Sequence, residues 1–239
     1  MELRGLIKHF DELYGERNNL FLSGPKTKIL FLMLGVSDLQ DTIRKQATKP
    51  KLNIALARVV SRIFCVVNHF GSDFADLFIE TLARKYPPDR CSYCGKSPCD
   101  CSEEKRSESK LAKSILVEQL HWSLNQWQGH MKDTYGEANK KLGKDNIMGR
   151  LFREVGELLS FQMEYSRGVN SELSRDKIKE EIALELGDVL SWTMAIANIF
   201  QANLEEAVSE RFGEGCWKCG KKPCVCAHFS YEQVRWNEE

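Results

Sequence analysis

Apolar residues recur at three- and four-residue steps along most of this chain. Segments near 26–47, 52–70, 73–86, 112–132, 147–167, 176–200 and 203–212 carry the pattern. It predicts helices, each turning one face to a core. Runs that alternate apolar and polar residues with β-branched side chains are few. The six prolines leave the acidic segments of the second half uninterrupted, as long helices require. The N-terminal stretch Met1–Phe10 is amphipathic rather than signal-like. The fold class expected is all-α, arranged as helical bundles.

The pattern repeats along the chain. Cys91-Ser-Tyr-Cys94-Gly-Lys-Ser-Pro-Cys99-Asp-Cys101 recurs as Cys216-Trp-Lys-Cys219-Gly-Lys-Lys-Pro-Cys224-Val-Cys226, with seven of eleven positions identical. Upstream, Tyr14-Gly15-Glu16 pairs with Tyr135-Gly136-Glu137. Leu32–Leu39 pairs with Leu151–Leu158, Leu56–Ser61 with Leu186–Ser191, and Asn68–Phe70 with Asn198–Phe200. Collinear blocks that end in a shared cysteine pattern point to a duplication. The expected division is residues 1–101, a polar linker over 102–114, and residues 115–239 with a short tail.

Two short carboxylate pairs concentrate the chemistry. Glu154 and Glu157 stand three residues apart, as do Glu185 and Asp188, and both pairs are flanked by apolar residues. On a helix this spacing puts each pair on one face. Like charges turned toward a core are costly unless a cation joins them. The simplest reading is a hard divalent cation on oxygen ligands, magnesium foremost. The first half differs. Gly35 stands opposite Glu154, Asp38 opposite Glu157, Ala55 opposite Glu185 and Arg58 opposite Asp188. The first half is therefore expected to lack the acidic site.

Each cysteine segment offers four thiolates within eleven residues: Cys91, Cys94, Cys99 and Cys101, then Cys216, Cys219, Cys224 and Cys226. Four thiolates can wrap one tetrahedral zinc and leave no open position, so the expected role is structural, with about two zinc ions per chain. An iron–sulfur cluster and free or disulfide-linked thiols are the alternatives. Cys65, in an apolar helix, is expected to be a buried free thiol.

Glu-x-x-Glu, a spacer, and Glu-x-x-Asp followed by Val-Leu resemble the MazG-like all-α nucleoside triphosphate pyrophosphohydrolases. The resemblance runs from about Ile147 to Arg211 and includes Asn203-Leu-Glu-Glu-Ala207. It implies two tandem MazG-like helical-bundle repeats, the first degenerate, forming an internal pseudo-dimer in which a four-cysteine metal knuckle follows each repeat. It also implies an enzyme, a hydrolase acting on phosphoanhydride bonds. The reaction would convert a nucleoside triphosphate to a monophosphate and pyrophosphate, in a nucleotide-pool house-cleaning role. Glu154, Glu157, Glu185 and Asp188 would hold magnesium, and one glutamate would orient or activate water. Arg211 would grip phosphate and Asn198 would contact ligand. Trp122 and Trp127 lie on a segment that lines the base pocket in relatives, where either ring could stack on a nucleobase; core packing is the competing reading. Arg153 stands where many members carry another glutamate.

Bulk charge narrows the partners. Thirty-four Lys and Arg balance thirty-four Asp and Glu, for a formal net charge of +0. Nothing in that balance argues for a nucleic acid or an anionic membrane surface, and no apolar run reads as a membrane span. The expected location is cytoplasmic and the expected partner is a nucleoside triphosphate; a homodimer of the tandem chain stays open. Competing readings are a non-enzymatic nucleotide-sensing or interaction scaffold with structural zinc knuckles, and a zinc-dependent nucleic-acid binder.

Overall fold

The computed structural model describes residues 1–101, 115–168 and 173–226. The linker expected over 102–114 and the tail after 226 lie outside the described residues. Within them the chain is all-helical. Four helices come from the first half: α1 (Leu3–Phe21), α2 (Gly24–Arg44), α3 (Lys49–His69) and α4 (Ser72–Lys85). A short 3-10 turn, Val117–His121, leads into α5 (Leu124–Leu142), α6 (Lys144–Arg167), α7 (Arg175–Ile199) and α8 (Leu204–Phe212).

Local chemistry sets the helix ends. Pro25 and Pro50 sit in the first turns of α2 and α3, where a missing N–H costs nothing. Ser123 and Gln126 form a reciprocal capping box at the start of α5. Ser174 caps α7 by accepting from Lys177 N–H, and Asn203 caps α8 by accepting from Glu206 N–H.

Two expectations are corrected. Residues 3–21, read from the sequence only as an amphipathic stretch over Met1–Phe10, form α1, with Leu3, Leu6, Ile7, Phe10, Leu13 and Tyr14 buried on one face. A helix was expected over 112–132; the α-helix starts at 124, because the Ser123 cap fixes its first turn, and it runs on to Leu142, where Gly143 at φ 80° ends it.

Helices α3 and α7 form the centre. Helix α3 packs against α1, α2 and α8, while α7 packs against α5, α6 and α4, and the two also touch each other. Helix α7 is long and apolar enough to cross a bilayer, unlike the sequence expectation, but most of its apolar stretch is covered by neighbouring helices. It is the core helix of the bundle. Residues from both halves join one buried apolar cluster. Each fully buried Leu, Ile or Phe side chain there contributes about 1.5–3 kcal/mol of transfer free energy.

The halves exchange contacts reciprocally. Helix α4 lies on α7, and α8 lies on α3. Cys99 N–H donates to Thr134 O at 2.7 Å, and Cys224 N–H donates to Leu13 O at 2.9 Å. Tyr86 meets Tyr135 edge-on at 5.9 Å, as Phe212 meets Tyr14 at 6.0 Å. Each cysteine segment is thus docked on the other half of the chain.

Candidate active site and metal centres

The acidic site forms where the apolar faces of α6 and α7 meet. Glu154 shares its face of α6 with buried Leu151, Val155 and Leu158. Asp188 is flanked on α7 by buried Leu186, Gly187, Val189 and Leu190. Packing these faces together therefore carries the acids inward. Ligand oxygens of Glu154, Glu185 and Asp188 all lie within 4.8 Å of one another. Glu154 and Asp188 are almost fully buried, at 2% and 8% exposure. Glu157 does not join them. Its side chain is 46% exposed and sits 3.6 Å from Arg153 Nε. Three of the four expected carboxylates converge, and the fourth stands at the rim.

Basic groups enter from two directions. Arg153 donates to Glu154 Oε1 at 2.7 Å. From the end of α4, Lys85 donates to Asp188 Oδ2 at 2.5 Å, and the Tyr86 hydroxyl donates to Asp188 Oδ1 at 2.6 Å. The same hydroxyl lies 2.8 Å from Ser191 Oγ. Burial opposes the charge on Lys85, but Asp188 outweighs it and holds the ammonium above its ordinary range. Asp188 itself is raised, by burial first, with Lys85 and Tyr86 opposing.

Glu185 is the least compensated of the three. Burial, then repulsion from Asp188 and Glu154, pushes its carboxyl up to about 9. Its Oε2 atom is buried without a hydrogen-bond partner. A buried acceptor left so costs about 1–3 kcal/mol. A hard cation on the three oxygens would satisfy this atom and offset the mutual repulsion, so the donor set fits magnesium or a similar ion. A cavity of about 60 Å³ adjoins the acids, lined in part by Tyr86, Tyr93, Tyr135, Arg150, Arg153 and Trp192. Lys85, Tyr86, Tyr93 and Ser191 were not singled out in the sequence. Lys85-Tyr86 precedes the first cysteine segment and Arg211-Phe212 precedes the second, one residue closer, which was the available signal.

The other expected ligand contacts lie elsewhere. Trp127 is fully buried and meets Trp122 edge-on at 4.9 Å. Neither ring lines the acidic cavity; Trp127 is buried on α5, and Trp122 packs on it just ahead of that helix. Asn198 sits at the end of α7, where it accepts from the Gln128 side chain at 2.9 Å and donates to Gln128 O at 3.2 Å. It is ten residues beyond Asp188, about 15 Å along the helix. Arg211 lies over the Trp217 ring at 4.1 Å. Its helix packs on α3 rather than α7, so it does not line the acidic cavity.

The cysteines form two compact groups, each with all four sulfurs drawn together. Cys91 and Cys101 sulfurs are 3.8 Å apart, Cys94 and Cys99 are 4.0 Å apart, and Cys216 and Cys226 are 3.9 Å apart. A tetrahedral ion with bonds of about 2.3 Å sets sulfurs about 3.8 Å apart. These are free thiols rather than disulfides. Gly95 and Gly220, at φ 72° and 67°, let the backbone turn toward sulfur. Backbone N–H groups, led by that of Lys221, lower the Cys219 thiol to about 6. At Cys94 burial opposes the shift, but the N–H groups of Lys96 and Asp100 prevail and the thiol falls to about 7. Both groups can hold a tetrahedral metal such as zinc. Cys65 is a buried free thiol, raised by desolvation to about 12.

Among the described residues, the two cysteine groups and the Glu154–Glu185–Asp188 set are the clusters with metal-ligand geometry; in the first half Arg62 occupies the space beside Gly35, where a Cβ would fall 2.7 Å from its Nη1. No protein-family model, no curated protein and no solved structure matches this chain.

Proposed function

We propose that this chain is a magnesium-dependent nucleoside triphosphate pyrophosphohydrolase with one competent site, in its second half. The observation that carries the reading is the convergence of Glu154, Glu185 and Asp188 across two packed helices, with one carboxylate oxygen buried and unsatisfied. We also read the chain as a fused duplicate, an internal pseudo-dimer of MazG-like repeats. The reciprocal docking of α4 on α7 and α8 on α3 supports that reading.

The three carboxylates would hold the ion, which when bound supplies charge neutralisation and a Lewis acid at phosphorus. The chain's own groups do the remainder. Arg150 and Arg153 line the cavity beside the acids and offer planar donors to phosphate oxygens. Lys85 balances Asp188 from the opposite half. Glu157, at the rim, has the exposure needed to accept a proton from an attacking water. Trp192 and Met131 supply an apolar part of the cavity lining.

One observation favours a second reading, a nucleotide-sensing scaffold without turnover. Asp188 is already engaged by Lys85 and Tyr86, a network that is satisfied without a metal. Pyrophosphate release from a panel of nucleoside triphosphates, with and without magnesium, separates the two. Magnesium-dependent formation of monophosphate and pyrophosphate is the expected result. Nucleotide binding without any product, in folded and zinc-loaded protein, selects the scaffold.

A further inference from the structure

We propose that Tyr93, carried by the first cysteine group, contacts the phosphoryl oxygens of a ligand held at the acids of the second half, and that the metal of that group positions it. The inference rests on the reading of the acids as a metal–triphosphate site and adds a contact to it. Tyr93 lines the cavity beside Glu154 and Asp188, together with Arg150 and Arg153. Lys85 and Tyr86 both bond to Asp188. Behind burial and Asp188 itself, Tyr93 is the next group acting on the charge of each, so the phenol stands close to the acids. A phenol there offers a hydroxyl donor. A hydrogen bond to an anionic phosphoryl oxygen is stronger than one between neutral groups.

The backbone explains the placement. Tyr93 lies between two of the four thiols, Cys91 and Cys94. Its N–H donates to Cys91 Sγ at 3.4 Å, and Gly95 N–H donates to Cys91 O at 2.9 Å. A tetrahedral ion on Cys91 and Cys94 would fix both ends of this short segment. Two bonds set the group on α5: Ser92 N–H to the Tyr135 hydroxyl at 3.4 Å, and Cys99 N–H to Thr134 O at 2.7 Å. Tyr135 lines the same cavity, so the docking point and the acids share one wall. The second cysteine group has Lys218 at the position that matches Tyr93. It docks on Leu13 of α1 instead, and none of its residues lines the acidic cavity. The tyrosine is thus found on the group that borders the acids and not on the other.

Isothermal titration of pyrophosphate into the full-length, zinc-loaded chain, with magnesium present, tests this. Pyrophosphate carries the phosphoryl oxygens and no base. Tyr93→Phe keeps the ring, so a role in packing alone would leave binding unchanged. Binding at least tenfold weaker is expected, with zinc content unaltered and with Lys218→Ala binding as the wild type does. Cys94→Ser should lose one metal and weaken binding at least as much. Adding Tyr93→Phe to it should cost nothing further, because the metal acts through that side chain. Circular dichroism checks folding. If Cys94→Ser unfolds the chain, Tyr93→Phe carries the test. The contact is overturned if zinc-loaded Tyr93→Phe binds pyrophosphate as the wild type does, or if the wild type binds none at millimolar concentration. Losses that add in the double variant overturn the metal's part. Pyrophosphate binding that Tyr93→Phe weakens, in a chain that hydrolyses no nucleotide, supports the contact and removes the hydrolase reading alone.

Discussion

Glu185 governs the electrostatics of the acidic site. Its carboxyl is raised to about 9 by burial and by two neighbouring acids. A group whose folded pKa lies above its unfolded value supports the fold most fully below the unfolded pKa, near 4.5, and loses that support as pH climbs toward 9. Metal-free protein should therefore lose stability across that window. Glu185→Gln should melt higher than wild type at pH 8, by about 2–4 °C for each kcal/mol regained, and show no gain near pH 4.5. Thermal melts of both proteins at the two pH values check this; equal melting temperatures at the higher pH would contradict it. Lys85 behaves in the opposite way, because its removal strands Asp188. Lys85→Met should cost about 3–5 kcal/mol in denaturant unfolding, and adding Asp188→Asn should recover most of it. The carboxylates were legible in the sequence because spacing on a helix fixes a shared face. Lys85 and Tyr86 were not, because they arrive from a helix about a hundred residues away, and no local pattern encodes that approach.

At the scale of elements, periodicity found most helices and caps decided the ends. Helix α1 has the same spacing of buried positions as the helices that were expected, and its pairing with α5 through Tyr14-Gly15-Glu16 and Tyr135-Gly136-Glu137 would have revealed it. The start of α5 was misplaced because apolar residues continue upstream of it, while the Ser123–Gln126 box, not hydrophobicity, sets the first turn. Ser123→Ala should cost about 1 kcal/mol, read as a lower denaturation midpoint with an unchanged slope. The tryptophans of this region show why a ring near a predicted site is weak ground for a ligand contact. Trp127 faces inward with its helix and is spent on the core.

The whole molecule is tied together by exchange between its halves. The first cysteine group is docked on α5 through Cys99 and Thr134, and Tyr93, inside that group, lines the acidic cavity. Metal analysis should find about two zinc ions per chain, and Cys94→Ser should bring it to about one. That variant should also lose most turnover at the carboxylates, whose cavity Tyr93 lines, whereas Cys219→Ser, which disturbs the group docked on α1, should reduce turnover less. Equal losses would contradict the exchange as a functional link. The recurring cysteine segments were visible in the sequence, but which half each one docks on depends on the path of the chain. Whether Glu154, Glu185 and Asp188 form one hydrolytic metal site is decided by pyrophosphate release from nucleoside triphosphates by the wild type and by Glu185→Gln, each with and without magnesium. Magnesium-dependent pyrophosphate and monophosphate are expected from the wild type, with a loss of at least a hundredfold, about 2.7 kcal/mol in the barrier, in the folded variant. Wild-type turnover in Glu185→Gln, or turnover indifferent to magnesium, would contradict it.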